Sequence, residues 1–165
     1  MIRSMLYATD LGLYAPFVMQ HALALARSFS AELYVVHAVE PMGQFAESLL
    51  QSYLDEQTLD QLHSQGVNTV MANIEQRVLE NFRDELGEEA DLAVIKAVRV
   101  RQGDPAQVIL DQAQRLSVDL LIFGSHSAGA GVDVPLGRTA VRLLQLSPVP
   151  VYMVPLAQHL GRRKA

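Results

Sequence analysis

Asp119-Leu120-Leu121-Ile122-Phe123-Gly124-Ser125-His126-Ser127-Ala128-Gly129-Ala130-Gly131-Val132-Asp133-Val134-Pro135-Leu136-Gly137-Arg138-Thr139 decides how the rest of the chain is read. Leu120 to Phe123 is a short apolar run that reads as a strand buried on both faces, as in a covered parallel sheet. Glycines then make a turn, and Ala140-Val141-Arg142-Leu143-Leu144 reads as helix. A glycine-rich turn between a buried strand and a helix N-terminus is a place where backbone N–H groups and the helix dipole hold an anion, usually a phosphate. The spacing matches neither of two familiar phosphate loops, for there is no Gly-Lys-Ser/Thr ending and no G-x-G-x-x-G. What stands here is Gly124-x-x-Ser127, nine residues, then Gly137.

Outward from this turn, strands and helices alternate. Ser4 to Thr9 reads as a first strand, broken by Asp10-Leu11-Gly12. Pro16 to Phe29 reads as a helix with Val18, Ala22, Leu25 and Phe29 on one face. Glu32 to Val39 is a second strand, closed by Pro41, and Phe45 to Leu86 a loop or short helix followed by a long helix. In the third strand, Val94 to Gln102, Val98 and Val100 alternate with Arg99 and Arg101, which predicts an edge position. Asp104-Pro105 starts a helix, with Asp as cap and Pro at the first helical position. That helix runs to about Leu116 and packs Val108, Ile109, Ala113 and Leu116. The helix after the glycine-rich turn runs to about Leu146. Val149 to Val154 is the last strand, put at an edge by Pro148 and Pro150, which donate nothing to a ladder.

This alternation predicts an α/β fold, a single doubly wound parallel sheet of five strands in the order 3-2-1-4-5, with helices on both faces. In that order the winding reverses between strands 1 and 4, and such switch points are where α/β sheets bind ligands. Asp10 follows strand 1 and Gly124 follows strand 4, so two distant stretches converge on one crevice.

The 165 residues fit one domain, taken as 1–157, with a basic, solvated tail at 158–165. Half the chain is hydrophobic, yet no run approaches the ~20 apolar residues of a membrane span. The first residues pass straight into a strand pattern with no signal-peptide region, and there is no cysteine, so a cytoplasmic location is expected. A net charge of −5 argues against nucleic-acid binding. The five histidines, 21, 37, 63, 126 and 159, show no metal-ligand spacing, and none is assigned a metal. His21 reads as a packed or half-exposed helix residue. His126 beside Ser125 and Ser127 invites a hydrolase reading, but there is no G-x-S-x-G and no locally placed carboxylate. A loop histidine near a phosphate fits better, and no catalytic residue is assigned.

The pattern resembles the universal stress protein family over nearly the whole chain. The resemblance rests on Tyr7-Ala8-Thr9-Asp10, Val36-His37-Ala38-Val39, Gly103-Asp104-Pro105, Asp119 to His126, and Pro148-Val149-Pro150-Val151. It implies a stress-response regulatory module that binds ATP or AMP and acts through a dimer or a protein partner, with at most weak ATP hydrolysis. Carried over, the nucleotide-binding residues are Ala8, Thr9, Asp10, Ala38, Gly103, Gly124, Ser125, His126, Ser127, Gly137, Arg138 and Thr139.

Several of these have a second reading. Asp10 is either a ribose or adenine-side acceptor or a turn aspartate. Thr9 and Ala38 offer backbone atoms to adenine or simply pack at strand ends. Gly103 permits close ligand approach or forms the turn before the Asp-Pro cap. Asp133 either recruits Mg²⁺ or is solvated. ATP-binding members read G-x-x-G, nine residues, G-S/T, and this chain departs twice, with Ser127 for glycine and Arg138 for Ser or Thr. Arg138 either pairs with phosphate or plugs the pocket. In the second case the chain is a nucleotide-free dimeric adaptor closed by Ser127 and Arg138. Val149, Val151 and Met153 alternate along an apparent edge, which predicts a homodimer through the last strand.

Overall fold

Buried apolar runs assemble one parallel sheet in the order β3-β2-β1-β4-β5. The strands are β1 (Ser4–Ala8), β2 (Glu32–Val39), β3 (Ile95–Gln102), β4 (Leu120–Gly124) and β5 (Val151–Val154). The helices between them are α1 (Ala15–Phe29), α2 (Glu56–Leu86), α3 (Pro105–Arg115) and α4 (Arg138–Leu146). The computed structural model describes residues 1–41, 56–88, 91–126 and 136–156. The expected short element after Phe45 falls outside them, as does the tail. The fold class and strand order are those the alternating pattern predicts.

The strand period of two sends alternate side chains to opposite faces. Met5, Tyr7, Leu33, Val35 and Ile122 pack against Val18 and Met19 of α1 and Val78 and Phe82 of α2. Leu6, Ala8, Val36, Leu121 and Phe123 pack against Ile109 and Ala113 of α3 and Ala140 and Leu143 of α4. β1 lies between β2 and β4, and its Met5 and Leu6 are fully buried. Each such side chain contributes about 1.5–3 kcal/mol. The Tyr7 hydroxyl satisfies itself by donating to the Ala15 carbonyl at 2.9 Å, and burial holds its pKa far above the ordinary phenol value.

α1 corrects one expectation. Val18 and Ala22 are buried, but Leu25 is half-buried and Phe29 is 46% exposed. At about 100° per residue Leu25 lies on the flank of the stripe of buried residues, whereas Phe29 keeps the angle of Val18 and Ala22 and is exposed in the last turn. Ser30 then stops the helix in the left-handed conformation. At the other end of the chain β5 begins at Val151 rather than Val149, although Pro150 still gives the ladder its carbonyl, accepting from Leu121 N–H at 3.0 Å.

Both outer strands are edges. An exposed edge N–H is a site for unwanted pairing. On β3, Glu75 of α2 covers one of them, its carboxylate accepting from Val100 N–H and from the Arg101 guanidinium, each at 2.9 Å.

Asp119 ties β4 to the start of β1 by accepting from the backbone N–H groups of Arg3 and Ser4 at 2.8 and 3.1 Å. Those two bonds, Arg3 first, hold its carboxyl below the usual carboxylate range. A folded-state pKa below the unfolded value gives stability that is present above the ordinary carboxylate pKa and lost as pH falls through the depressed one. Asp119→Ala should therefore lower the melting temperature at neutral pH and converge with the parent in acid. A deficit of equal size at both pH values would contradict this.

Candidate functional site

α1 and α2 cover one face of the sheet and α3 and α4 the other, so the winding reverses between β1 and β4 and leaves a space beyond their C-terminal ends under α3 and α4. A cavity of about 280 Å³ lies there. Its walls are Ala8, Ala38 and Phe123 from the strand ends, Pro105 and Ile109 from α3, and Ala140 and Leu143 from α4. Its polar lining is Thr9, Asp10, His37, Glu40 and Thr139. An apolar body with a few converging polar groups is the usual form of a small-molecule site.

The polar groups are held by the turn after β1. Thr9 is buried, its N–H donating to the Val36 carbonyl at 2.9 Å and its hydroxyl accepting from Leu11 N–H at 3.0 Å. The Asp10 carboxylate accepts from Gly12 N–H at 2.8 Å, so it closes this turn and also lines the cavity. His37 Nδ1 lies 2.8 Å from the Thr9 carbonyl. A carbonyl only accepts, so Nδ1 carries the hydrogen of that bond.

Across the cavity, the N-termini of α3 and α4 are joined. Asp104 caps α3 by accepting from Gln107 N–H at 3.1 Å, and both its oxygens meet Arg142 Nη1 of α4, at 3.0 and 2.8 Å. The Gln107 bond and then the Arg142 charge hold the Asp104 carboxyl below its ordinary range. Gly137 caps α4 with no side-chain hydrogen bond, and Arg138 follows, exposed, at the first helical position.

Of the residues singled out from the sequence, Ala8, Thr9, Asp10, Ala38 and Thr139 line the cavity together. Gly103, Gly124, Ser125, His126, Gly137 and Arg138 do not, and Ser127 and Asp133 lie outside the described residues. Gly103 serves the turn into α3, with φ +151° and no room for a Cβ, which would stand 2.8 Å from Val108 Cγ2. A Cβ on Gly124 would meet Leu156 Cδ1 at 3.0 Å and Val18 Cγ2 at 3.3 Å, on the α1 face of the sheet. Ser125 is a buried junction. Its N–H reaches the Val154 carbonyl, its carbonyl accepts from Gly137 N–H, and its hydroxyl accepts from Leu156 N–H at 2.9 Å and lies 2.7 Å from His126 Nδ1. A hydroxyl held so, on a residue 2% exposed, is not poised as a nucleophile.

His37, Glu40, Pro105, Ile109, Phe123, Ala140 and Leu143 line the cavity without having been singled out as site residues. The signal for His37 and Glu40 was their place at the end of β2, beside Ala38. In the sequence His37 belongs to the stretch Val36-His37-Ala38-Val39 that carries the family resemblance. The apolar wall residues read as core, since the same side chains serve both. Among the described residues no three or more His, Asp or Glu side chains are placed to hold a metal ion, and no helix is long and apolar enough to cross a membrane.

The sheet and its cavity define a doubly wound α/β domain with a cleft at its switch point. The profile of the Universal stress protein family matches residues 1–155, and the chain belongs to that family. Universal stress protein YxiE of Bacillus subtilis is 26% identical over 156 residues, which cover 93% of this chain and 99% of that protein. Among solved structures, hypothetical protein MJ0577 superposes with a TM-score of 0.65 at 22% identity, covering 94% of this chain and 96% of that one. A universal stress protein in complex with cAMP superposes with a TM-score of 0.56 at 16% identity, covering 93% and 97%.

Proposed function

We propose that this protein is an adenine-nucleotide-binding regulatory module of the stress response, whose cavity occupancy changes a homodimer or a protein-partner surface with little or no turnover. The observation that carries this reading is the two-ended lining of the cavity. Asp10, His37 and Glu40 stand at the β1–β2 end, where two carboxylates repel phosphate. Thr139 stands at the other end, in the first turn of α4, where helix N–H groups and the dipole attract it. A ligand neutral and rich in hydrogen-bond donors at one end and anionic at the other suits both. A nucleotide placed with its base toward β2 and its phosphates toward α4 is such a ligand, and the apolar wall matches the purine faces. The cAMP held by one structural relative supports the adenine nucleotide class. Asp133, the residue expected to draw Mg²⁺, lies outside the described residues, and the described carboxylates of the cavity are at the base end.

Arg138 is exposed and outside the cavity lining, which favours the phosphate-pairing role over the plug. Arg138→Ala should weaken ATP more than AMP, by roughly ten- to a hundredfold for ATP, the scale of one charge-assisted hydrogen bond of about 1.5–3 kcal/mol. Calorimetry reads this directly. A gain of binding would instead identify Arg138 as a plug and the parent as a nucleotide-free adaptor.

The dimer reading rests on β5 being an edge strand whose Val151 and Met153 are half-buried within one chain. Two copies pairing antiparallel across a two-fold axis would remove that edge and draw Val149 into the contact. Val151→Lys should yield a monomer in sedimentation at low micromolar concentration, and a persistent dimer would place the interface elsewhere. A cytoplasmic setting goes with this reading.

A further inference from the structure

We infer that Glu75 and Arg101 form an edge guard, which closes the outer side of β3 to pairing with a second copy of this chain and so limits self-association to the other edge of the sheet. That the other edge pairs at all rests on the β5 dimer reading. The closing of β3 stands apart from it.

Both backbone groups of a strand residue point to one side, and successive residues alternate. Gly103, just past β3, turns inward, its N–H donating to the Val39 carbonyl of β2 at 2.9 Å. Counting back in twos, Arg101 and Arg99 face β2, while Gln102, Val100 and Val98 present their N–H and C=O to the open side. Val100 is the middle one of these three. Its N–H donates to Glu75 Oε1 at 2.9 Å, and its carbonyl accepts from Arg101 Nη1 at 2.8 Å. The same guanidinium nitrogen donates to Glu75 Oε1 at 2.9 Å, so a single ion pair shuts both groups of one residue. An incoming strand bonds at every second residue. With Val100 shut, Val98 and Gln102 offer only separated contacts on either side of it. Towards its start β3 is interrupted as well. Ile95 and Ala97 face the consecutive residues Leu33 and Tyr34, so Lys96 is the extra residue of a bulge, exposed and charged. Bulges and lysines are both devices that blunt an edge.

β5 carries no such closure. The Pro150 and Val154 carbonyls turn inward to Leu121 and Ser125 N–H, each at 3.0 Å, so Val151 and Met153 face outward. Among the described residues nothing meets their outward backbone groups. The Glu75–Arg101 pair is half-exposed, with 41% of the Arg101 side chain and 26% of the Glu75 side chain open to solvent. An ion pair of that kind adds little to stability by itself. Its position over Val100 is what sets it apart. Two β3 strands set antiparallel about Val100 would match Val98 with Gln102 and Gln102 with Val98. A chain open at both edges pairs at both and grows without limit, whereas a chain open at one edge stops at a dimer.

The test is sedimentation velocity over a range of concentrations on the parent, on Glu75→Ala, and on Glu75→Ala combined with Gln102→Pro. Gln102 is exposed and its N–H faces outward, so proline there takes a donor from the open side and none from the β2–β3 ladder. The parent should show no species larger than a dimer. Glu75→Ala, with unchanged far-UV dichroism, should associate further, its weight-average mass rising with concentration past that of a dimer. Adding Gln102→Pro should return the distribution to that of the parent. Larger species already present in the parent, or a Glu75→Ala distribution like the parent's, overturn the inference. Association that survives Gln102→Pro overturns it too, because the contact then runs through another surface. Val151→Lys separates the two readings. If that variant alone stays dimeric, the β5 interface is wrong and the guard is still decided by Glu75→Ala. If it is monomeric, Val151→Lys combined with Glu75→Ala should pair through β3 into a dimer, and a monomer there overturns the inference.

Discussion

Gly103→Val should lower stability by several kcal/mol and bring the melting temperature down by about ten degrees or more. Two costs add at this position. The backbone has φ +151°, a conformation that L side chains rarely adopt, and forcing one there costs about 1–3 kcal/mol. A Cβ would also stand 2.8 Å from Val108 Cγ2, and overpacking of this kind costs about 1–3 kcal/mol more. Val108 has little freedom to retreat. Its N–H closes the first turn of α3 on the Asp104 carbonyl at 2.9 Å, and Asp104 is fixed by Gln107 and Arg142. For a domain of this length each kcal/mol is worth roughly 2–4 °C. Adding Val108→Ala should recover part of the loss, because it relieves the clash and leaves the backbone strain. An unchanged melting temperature for the single variant would contradict the geometry at this turn.

Ala38→Phe should abolish nucleotide binding while the fold survives. Ala38 is half-buried at the end of β2, opposite Arg101 of β3, and its side chain lines the cavity. A phenyl ring there fills space that a base would occupy, in a cavity of only about 280 Å³. The strand itself accepts the change, since aromatic residues suit a pleated, half-buried surface. Affinity for AMP and for ATP should both fall by about a hundredfold or more, the equivalent of ~2.7 kcal/mol. Melting temperature and far-UV dichroism should stay close to the parent. Retained affinity in a folded Ala38→Phe protein would move the site away from this cavity.

The sheet was legible in the sequence because each strand carried its own signal of burial. Leu120 to Phe123 is apolar without interruption, as a strand covered on both faces must be, and Arg99 and Arg101 interrupt β3 because one side of an edge strand is wet. Order followed from the two edges and the handedness of crossovers. The last turn of α1 was less legible, since Phe29 keeps the helical spacing of Val18 and Ala22 and is exposed all the same where the helix ends.

The cavity was half legible. The turn after β1 could be placed at the switch point from topology and Ala38 at the end of β2 from the family resemblance, and five of the twelve expected ligand residues line the cavity. Its walls could not be told from core, because Ile109, Phe123, Ala140 and Leu143 keep the spacing that packing also demands. Two of the glycines have a packing reason as well. Gly103 answers to φ and Val108, and Gly124 leaves room for Leu156 and Val18 on the far face. A glycine required by close packing looks in sequence the same as one required by a ligand.

Whether the cavity at the ends of β1 and β2 holds an adenine nucleotide is decided by titrating the purified, nucleotide-stripped protein with AMP. The chain has no tryptophan, so removal of any co-purified adenine can be followed cleanly near 260 nm before the titration. The expected result is saturable binding of one nucleotide per chain, with competition by ATP. No heat and no saturation with either AMP or ATP, in a protein whose dichroism shows it folded, would contradict it.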